Sequence, residues 1–316
     1  MTSPIKNIIR SASSQESLNI LMFICDGYFD SMLCNALPQH NFYGPINDDS
    51  KPSGWNFKLC PQPKNFHYIS NFNQSNITSK IDFDLIICHD RTSQYDIAEQ
   101  FARALHINII IVEHIVNTEQ LDLVAMIPLL KKTKNAINVF VGDVQNQLTI
   151  LGPTIRYGIP DIFCPQKKNQ IAILDTDQTT LDNLTPHIPL PFESHNIYDL
   201  TAKQYHEFFQ QNAFYFNLSA ETTRLQLPIL YAMSAGCVVV SITSPVITDI
   251  ISHMKTGLIV NNMEELVALF NDLKNIDIDK IGNNANKYIV DHYSPEIFRQ
   301  KWQDILTLTS NKTYII

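Results

Sequence analysis

Residues 219–257 hold the densest run of groups suited to phosphate chemistry. The chain reads S-A-E-T-T-R-L-Q-L-P-I-L-Y-A-M-S-A-G-C-V-V-V-S, and soon after T-D-I-I-S-H-M-K-T-G-L-I-V. A polar loop carrying Glu221, Thr222, Thr223, Arg224 and Leu225 feeds a helix, Gly236 ends it, and a buried strand follows. Free backbone N–H groups at such a helix start can hold a diphosphate, aided by the helix dipole. Arg224 stands beside that start and could neutralise phosphate charge; Arg156 and Lys255 are the next cations to consider. The plainer alternative is a βαβ crossover with a solvated arginine. His89-Asp90 and Glu113-His114 each follow an apolar run, at the carboxyl edge where open α/β sheets bind ligands. Asp26-Gly27 occupies the same place after the first such run. Asp175-Thr176-Asp177 has the D-x-D form that can hold a divalent ion with a diphosphate, although turns are rich in Asp for local reasons too.

The elements that must position these groups are legible as alternating strands and helices. Residues 18–25, 83–89 and 107–113 are strand-length apolar runs without alternation, the pattern of parallel strands covered on both faces. Between the last two, Ile97, Phe101, Ala104 and Leu105 predict the apolar stripe of a helix. Residues 121–130 and 136–141 repeat the unit less cleanly, and residues 38–80 show little periodicity, a long loop or short strands. Turn residues cluster over 152–165, which places a domain boundary there: residues 1–157 form one domain and 158–294 a second, with the helix from 295 crossing back to the first. In the second half, strands are expected at 170–174, 213–218 and 237–242, and helices near 201–211, 228–235, 262–273, 281–292 and 295–308. The fold class is therefore α/β, with two Rossmann-like doubly wound domains facing a cleft.

Composition narrows the function classes. With 316 residues, 45% hydrophobic, the chain can bury a core in each of two domains. Its net charge is −8 with no block of consecutive Lys or Arg, so a broad nucleic-acid footprint is not expected. The six cysteines lie apart with no C-x-x-C pair, which argues against zinc and redox motifs and for free thiols in a reducing compartment. Residues 1–16 are polar and serine-rich, no secretory signal is expected, and no apolar run approaches a membrane span. A cytoplasmic location follows as the expectation. Signatures of serine hydrolases, zinc proteases, P-loop NTPases and dinucleotide dehydrogenases are absent.

Three segments in order resemble the GT-B glycosyltransferases, in particular the family-4-like group (glycosyl transferases group 1). The first is the strand pair ending in His89-Asp90 and Glu113-His114. The second is I-R-Y-G-I-P-D-I-F-C-P at 155–165, similar to an interdomain N-G-V-D followed by F-x-P. The third is Leu227-Pro228, Leu230, Ala232-Met233, Gly236, Val238–Val240 and Thr256-Gly257-Leu258. The resemblance implies that the second domain grips a nucleotide-sugar donor, UDP- or GDP-linked, and the first presents an acceptor. It implies metal-independent catalysis with no cofactor beyond that donor. His114 would contact the donor sugar, while His89, Asp90, Asp26 and Gly27 would face the acceptor.

Departures from the family pattern bear on activity. Thr223 and Tyr231 stand where the family has two glutamates, the second of which accepts hydrogen bonds from the nucleotide ribose; Glu221 could substitute through a shifted loop. No base follows Leu174, where the family places an Arg and a Lys toward the diphosphate. Charge developing on the leaving diphosphate must then be met by Arg224 with helix-start amides. A non-catalytic relative that binds a nucleotide, sugar or partner protein, a nucleotide-sugar epimerase, and a transferase acting on modified DNA bases remain alternatives.

Overall fold

The structure is a computed structural model that describes residues 17–45, 58–69, 81–89, 93–114, 123–142, 152–218 and 227–310. The first half begins with β1 (Asn19–Met22), α1 (Gly27–Ala36), β2 (Asn41–Pro45) and β3 (Phe66–Ile69). It continues through β4 (Leu85–Cys88), α2 (Ser93–Leu105), β5 (Asn108–His114), α3 (Leu123–Lys132), β6 (Ile137–Val141) and β7 (Thr154–Ile155). These seven strands form one sheet in the order β3-β2-β1-β4-β5-β6-β7, every neighbouring pair parallel. β4 is buried along its whole length, as a parallel strand covered on both faces must be.

The second half contains β8 (Lys168–Leu174), α4 (Gln178–Leu184), β9 (Phe192–His195), α5 (Ala202–Gln211), β10 (Asn212–Asn217) and α6 (Leu227–Ala235). Beyond them come β11 (Val238–Ile242), α7 (Pro245–Ile250), β12 (Leu258–Val260), α8 (Met263–Asp272), α9 (Ile278–Tyr293) and α10 (Pro295–Ser310). Its five parallel strands run β12-β11-β10-β8-β9. The expected α/β class with two doubly wound sheets is what the chain adopts, each sheet reversing its strand order at one switch point.

Local chemistry explains the element ends. Thr201 caps α5 in a reciprocal box with Gln204, and Asn262 caps α8 by accepting from the Glu265 N–H. Gly236 ends α6 at φ +82, with its own N–H on the Met233 carbonyl and that of Cys237 on Ala232. α10 returns to the first half: Phe298 and Trp302, both fully buried, pack toward Phe29 of α1, and the Asn108 side chain donates to the Thr309 carbonyl.

One sequence expectation is resolved and one needs correction. Of the long loop or short strands expected over residues 38–80, the described residues show short strands: β2 and β3, two parallel strands that complete one wing of the first sheet. Their Asn, Gly and Pro content hid them, since Gly44 and Pro45 are poor strand formers inside a regular pairing. The buried stripe of α2 is Tyr95, Ala98, Phe101 and Ala102, while Ile97 is 45% exposed and Ala104 is exposed. A tyrosine and small residues face the sheet there, so ranking positions by side-chain hydrophobicity placed the stripe partly on the wrong side.

Gly282 of α9 approaches Gly236 so closely that an added Cβ would lie 2.3 Å from the Gly236 carbonyl oxygen. Alanine in a helix ordinarily gains about 0.5–1 kcal/mol over glycine. Here the backbone contact reverses that sign. Gly282→Ala is expected to destabilise the protein by about 1–3 kcal/mol, read as a lowered urea midpoint.

Candidate active site

Ligands of open parallel sheets bind outside the carboxyl ends of the strands, where strand order reverses. In the first sheet this point lies between β1 and β4. Gln94 at the start of α2 bridges it: its Oε1 accepts the His89 N–H at 2.8 Å and its Nε2 donates to the Ile24 carbonyl at 3.3 Å. His89, one residue past β4, is thereby fixed beside the first turn of α1.

Three side chains converge there. His89 Nδ1 is 3.1 Å from His114 Nε2, the rings stacked 5° from parallel. On the other side His89 Nε2 is 3.0 Å from Asp30 Oδ1, both side chains fully buried. That approach is off the hydrogen-bonding axis, and neither atom has another hydrogen-bond partner. Asp30 Oδ2 accepts the Cys25 N–H at 3.1 Å. His114 Nδ1 is 3.5 Å from the Tyr157 hydroxyl, a long contact. The ring of Phe29 meets His89, His114 and Tyr157 edge-on and roofs the group.

Burial, with a further push from His89, lowers the His114 pKa to about 3, so its imidazole is neutral. Asp26, half-buried at the N-cap of α1, accepts the Tyr28 N–H at 2.9 Å. Burial raises its pKa against that hydrogen bond, and nearby Asp30 adds to the rise. Gly27 is the buried first residue of α1.

In the second sheet the switch point lies between β8 and β10. The loop that leaves β10 carries Glu221, Thr222, Thr223, Arg224 and Leu225, which lie outside the described residues, as does Asp90 beside His89. Tyr231 of α6 is only 5% exposed. Its ring meets Tyr28 of α1 at 5.9 Å and Tyr205 of α5 at 5.2 Å, and stacks on His206 at 5.4 Å. The Ala202 N–H donates to the Lys58 carbonyl nearby, at 3.1 Å. Burial raises the Tyr28 pKa well above its ordinary value, with Tyr231 adding to the rise, and raises that of Tyr231 to about 12. Both phenols are neutral at physiological pH.

The remaining cations and carboxylates are dispersed. Arg156 lies over the Tyr293 ring at 5.3 Å. Lys255 is exposed in the turn before β12, its backbone N–H on the Ser252 carbonyl. The D-x-D carboxylates are engaged locally: Asp175, at φ +51, accepts the Ile197 N–H, and Asp177 caps α4 through Thr180. Among the described residues, no cluster of three or more His, Cys, Asp or Glu is arranged to hold a metal ion.

Sequence reasoning singled out His89 and His114 but missed Asp30, Tyr157 and Tyr28. For Asp30 a signal existed. It is an acid four residues after Asp26, set between Phe29 and Leu33 on a helix whose neighbours are mostly apolar.

No protein-family model matches the sequence, and no curated protein matches it. Solved structures do. HepE from Anabaena, in complex with UDP-glucose, aligns at a TM-score of 0.63 with 12% identity, covering 92% of this chain and 100% of that one. A glycosyltransferase from Rickettsia africae aligns at 0.66 with 12% identity, over 94% and 99% of the two chains. Sucrose-phosphate synthase from Thermosynechococcus elongatus aligns at 0.64 with 11% identity, over 92% and 98%. At such identities the likeness is one of fold: the chain has the GT-B architecture of glycosyltransferases.

The lowered His114 pKa has a consequence for stability. The unfolded chain takes up a proton near pH 6.5, whereas the folded chain does so only near 3. The protein therefore loses stability as pH falls through 6.5 toward 3. Urea midpoints measured at pH 7 and pH 4.5 should differ more in the wild type than in His114→Gln.

Proposed function

We propose that the protein is a nucleotide-sugar-dependent glycosyltransferase that holds its donor over the β8/β10 switch point and its acceptor over the β1/β4 switch point. The observation that carries this reading is the buried Asp30–His89–His114 group at the carboxyl edge of the first sheet of a GT-B fold. Burying a carboxylate with two imidazoles is costly, and ionisable groups buried together in this way cluster at functional sites.

The donor would be a UDP- or GDP-linked sugar; UDP has the stronger support, because HepE binds UDP-glucose in a fold of the same kind. Glu221, Thr222, Thr223, Arg224 and Leu225 would hold the diphosphate, with Arg224 meeting the charge that develops on it. Arg156 and Lys255 would add charge from the margins. His114 would be the catalytic histidine, and His89, Asp90, Asp26 and Gly27 would line the acceptor side. No metal or cofactor beyond the donor is proposed, and the acceptor class is left at a hydroxyl-bearing glycan, lipid or protein. Among the described residues no helix is long and apolar enough to cross a membrane, and a cytoplasmic location is proposed from the free thiols and acidic composition.

One observation favours a second reading. Tyr231, at the position of the family's ribose-binding glutamate, is spent on Tyr28 of the opposite domain. A relative that binds a nucleotide without turning it over would tolerate that substitution.

Thermal unfolding against UDP, GDP, ADP, CDP and their sugars separates the two. A ligand at a hundred times its Kd stabilises by about 2.7 kcal/mol, so one nucleotide should raise Tm by several degrees. Arg224→Ala should abolish that rise. Binding accompanied by sugar release supports the enzyme; binding with no release supports the non-catalytic relative. No response to any nucleotide overturns the donor site.

A further inference from the structure

We infer that Tyr28, Tyr205 and Tyr231, with the bond from the Ala202 N–H to Lys58, form a releasable latch between the two halves. It is closed in the free protein and opens as a local event, without unfolding of either sheet. A ligand that enters between α1 and α6 must open it. The inference stands apart from the transferase reading, since it concerns how the halves are joined and not the reaction.

The halves are joined in two ways. One joint is where the chain itself crosses, over residues 156–165 and from α9 into α10, and it is tied down on both sides. The Ser234 hydroxyl donates to the Pro160 carbonyl at 2.6 Å and accepts the Ile162 N–H at 3.2 Å, and the Gln210 side chain donates to the Ile162 carbonyl at 3.2 Å. The Gly158 N–H meets the sulfur of Met32 in α1 at 3.1 Å. Phe298 lies so near Gly158 that an added Cβ would fall 2.9 Å from its own. The other joint is made without a chain crossing. Tyr28 of α1 meets Tyr231 of α6 at 5.9 Å and Tyr205 of α5 at 6.4 Å, both edge-on, and the Lys58 carbonyl accepts the Ala202 N–H at 3.1 Å. His206 stacks on Tyr231 within the second half.

The chemistry of this second joint makes it one that opens. Two edge-on ring pairs are worth about 5- to 150-fold in an equilibrium. Global unfolding of a domain is opposed by roughly a thousandfold or more. The Tyr205 hydroxyl is fully buried at the joint and has no hydrogen-bond partner. A buried polar atom left unpaired penalises the closed state, and water satisfies it on release. Tyr28 is only half-buried, so the contact lies at a margin that water reaches.

Closed and released states then coexist. A ligand that binds only the released state has its affinity reduced by the fraction of chains released. The latch thereby sets a threshold for entry, and the Tyr205 hydroxyl becomes available only to a ligand that has crossed it.

Ala202 reports the latch directly. It is the first residue of α5, where an N–H has no acceptor within the helix, so its shield is the Lys58 carbonyl of the first half. The Tyr205 N–H, bonded to the Thr201 carbonyl, reports α5 itself, and the amides of β10, paired on both sides, report the sheet. Native-state hydrogen exchange of the wild type should find Ala202 protected about tenfold or more, less than Tyr205. Low urea should leave the Ala202 rate unchanged and speed β10 steeply. Exchange of Ala202 at the free-peptide rate means that no latch is closed in solution. Equal protection at Ala202 and Tyr205 means that the first turn of α5 frays. A urea dependence at Ala202 equal to that of β10 means that the joint opens only with the fold. Each of these three outcomes overturns the inference.

Two variants assign the parts. Tyr28→Ala should speed Ala202 exchange about tenfold or more, still without urea dependence. An unchanged rate overturns the role of the rings. Tyr205→Phe keeps the ring and removes the unpaired hydroxyl, so it should slow Ala202 exchange about threefold or more. An unchanged or faster rate overturns the part assigned to the hydroxyl. Should either variant not fold, the wild-type urea series still decides whether the latch exists.

Discussion

The ring of Phe29 is the contact on which the architecture around the site depends. It sits in the first turn of α1 and meets, edge-on or tilted, two histidines at the ends of first-sheet strands, Tyr157 of the segment between the sheets, and Phe298 and Trp302 of the last helix. Each such aromatic pair adds on the order of 0.5–1.5 kcal/mol beyond the area it buries. The arrangement matters more than the sum. A single side chain ties the sheet edge that carries the ionisable row to the chain crossing between the halves and to the helix that returns. α1 cannot tilt without displacing Asp30, which lies beside Phe29 and has its second oxygen held by the Cys25 N–H.

A second constraint comes from the opposite side of α1. Tyr28 faces away toward the second half, where Tyr205, Tyr231 and His206 form an aromatic cluster. Consecutive residues of α1 thus serve three ends: Tyr28 meets the second domain, Phe29 roofs the imidazoles and Asp30 stands behind them. Tyr231 of α6, buried between Tyr28 and Tyr205, joins α1 to the second half through its ring.

The sequence makes the layered architecture plain and the chemistry only partly so. Residues such as 85–88 and 237–242 read as buried strands because a parallel strand covered on both faces needs no alternation to reveal it. Gly236 was legible as a helix end because only glycine sits at φ +82 without strain. β2 and β3 were legible only as short strands without definite bounds, since Asn41, Gly44 and Pro45 give β2 the composition of a turn. His89 and His114 could be found because strand ends are where ligands bind, a positional rule that needs no coordinates. Asp30 offered only the weaker signal of an acid among apolar helix neighbours, because its partner is a histidine 59 positions away and no periodicity reports a contact of that kind.

The ionisable groups of the two sheets differ in how they are held. Asp175 and Asp177, which follow β8, are engaged by the Ile197 N–H and by Thr180. Asp30 takes the Cys25 N–H on one oxygen, while the other lies against His89 with no hydrogen-bond partner. A carboxylate that caps a helix or a turn orders the chain around it. A buried oxygen without such a partner costs stability instead, and ionisable groups of that kind cluster at functional sites.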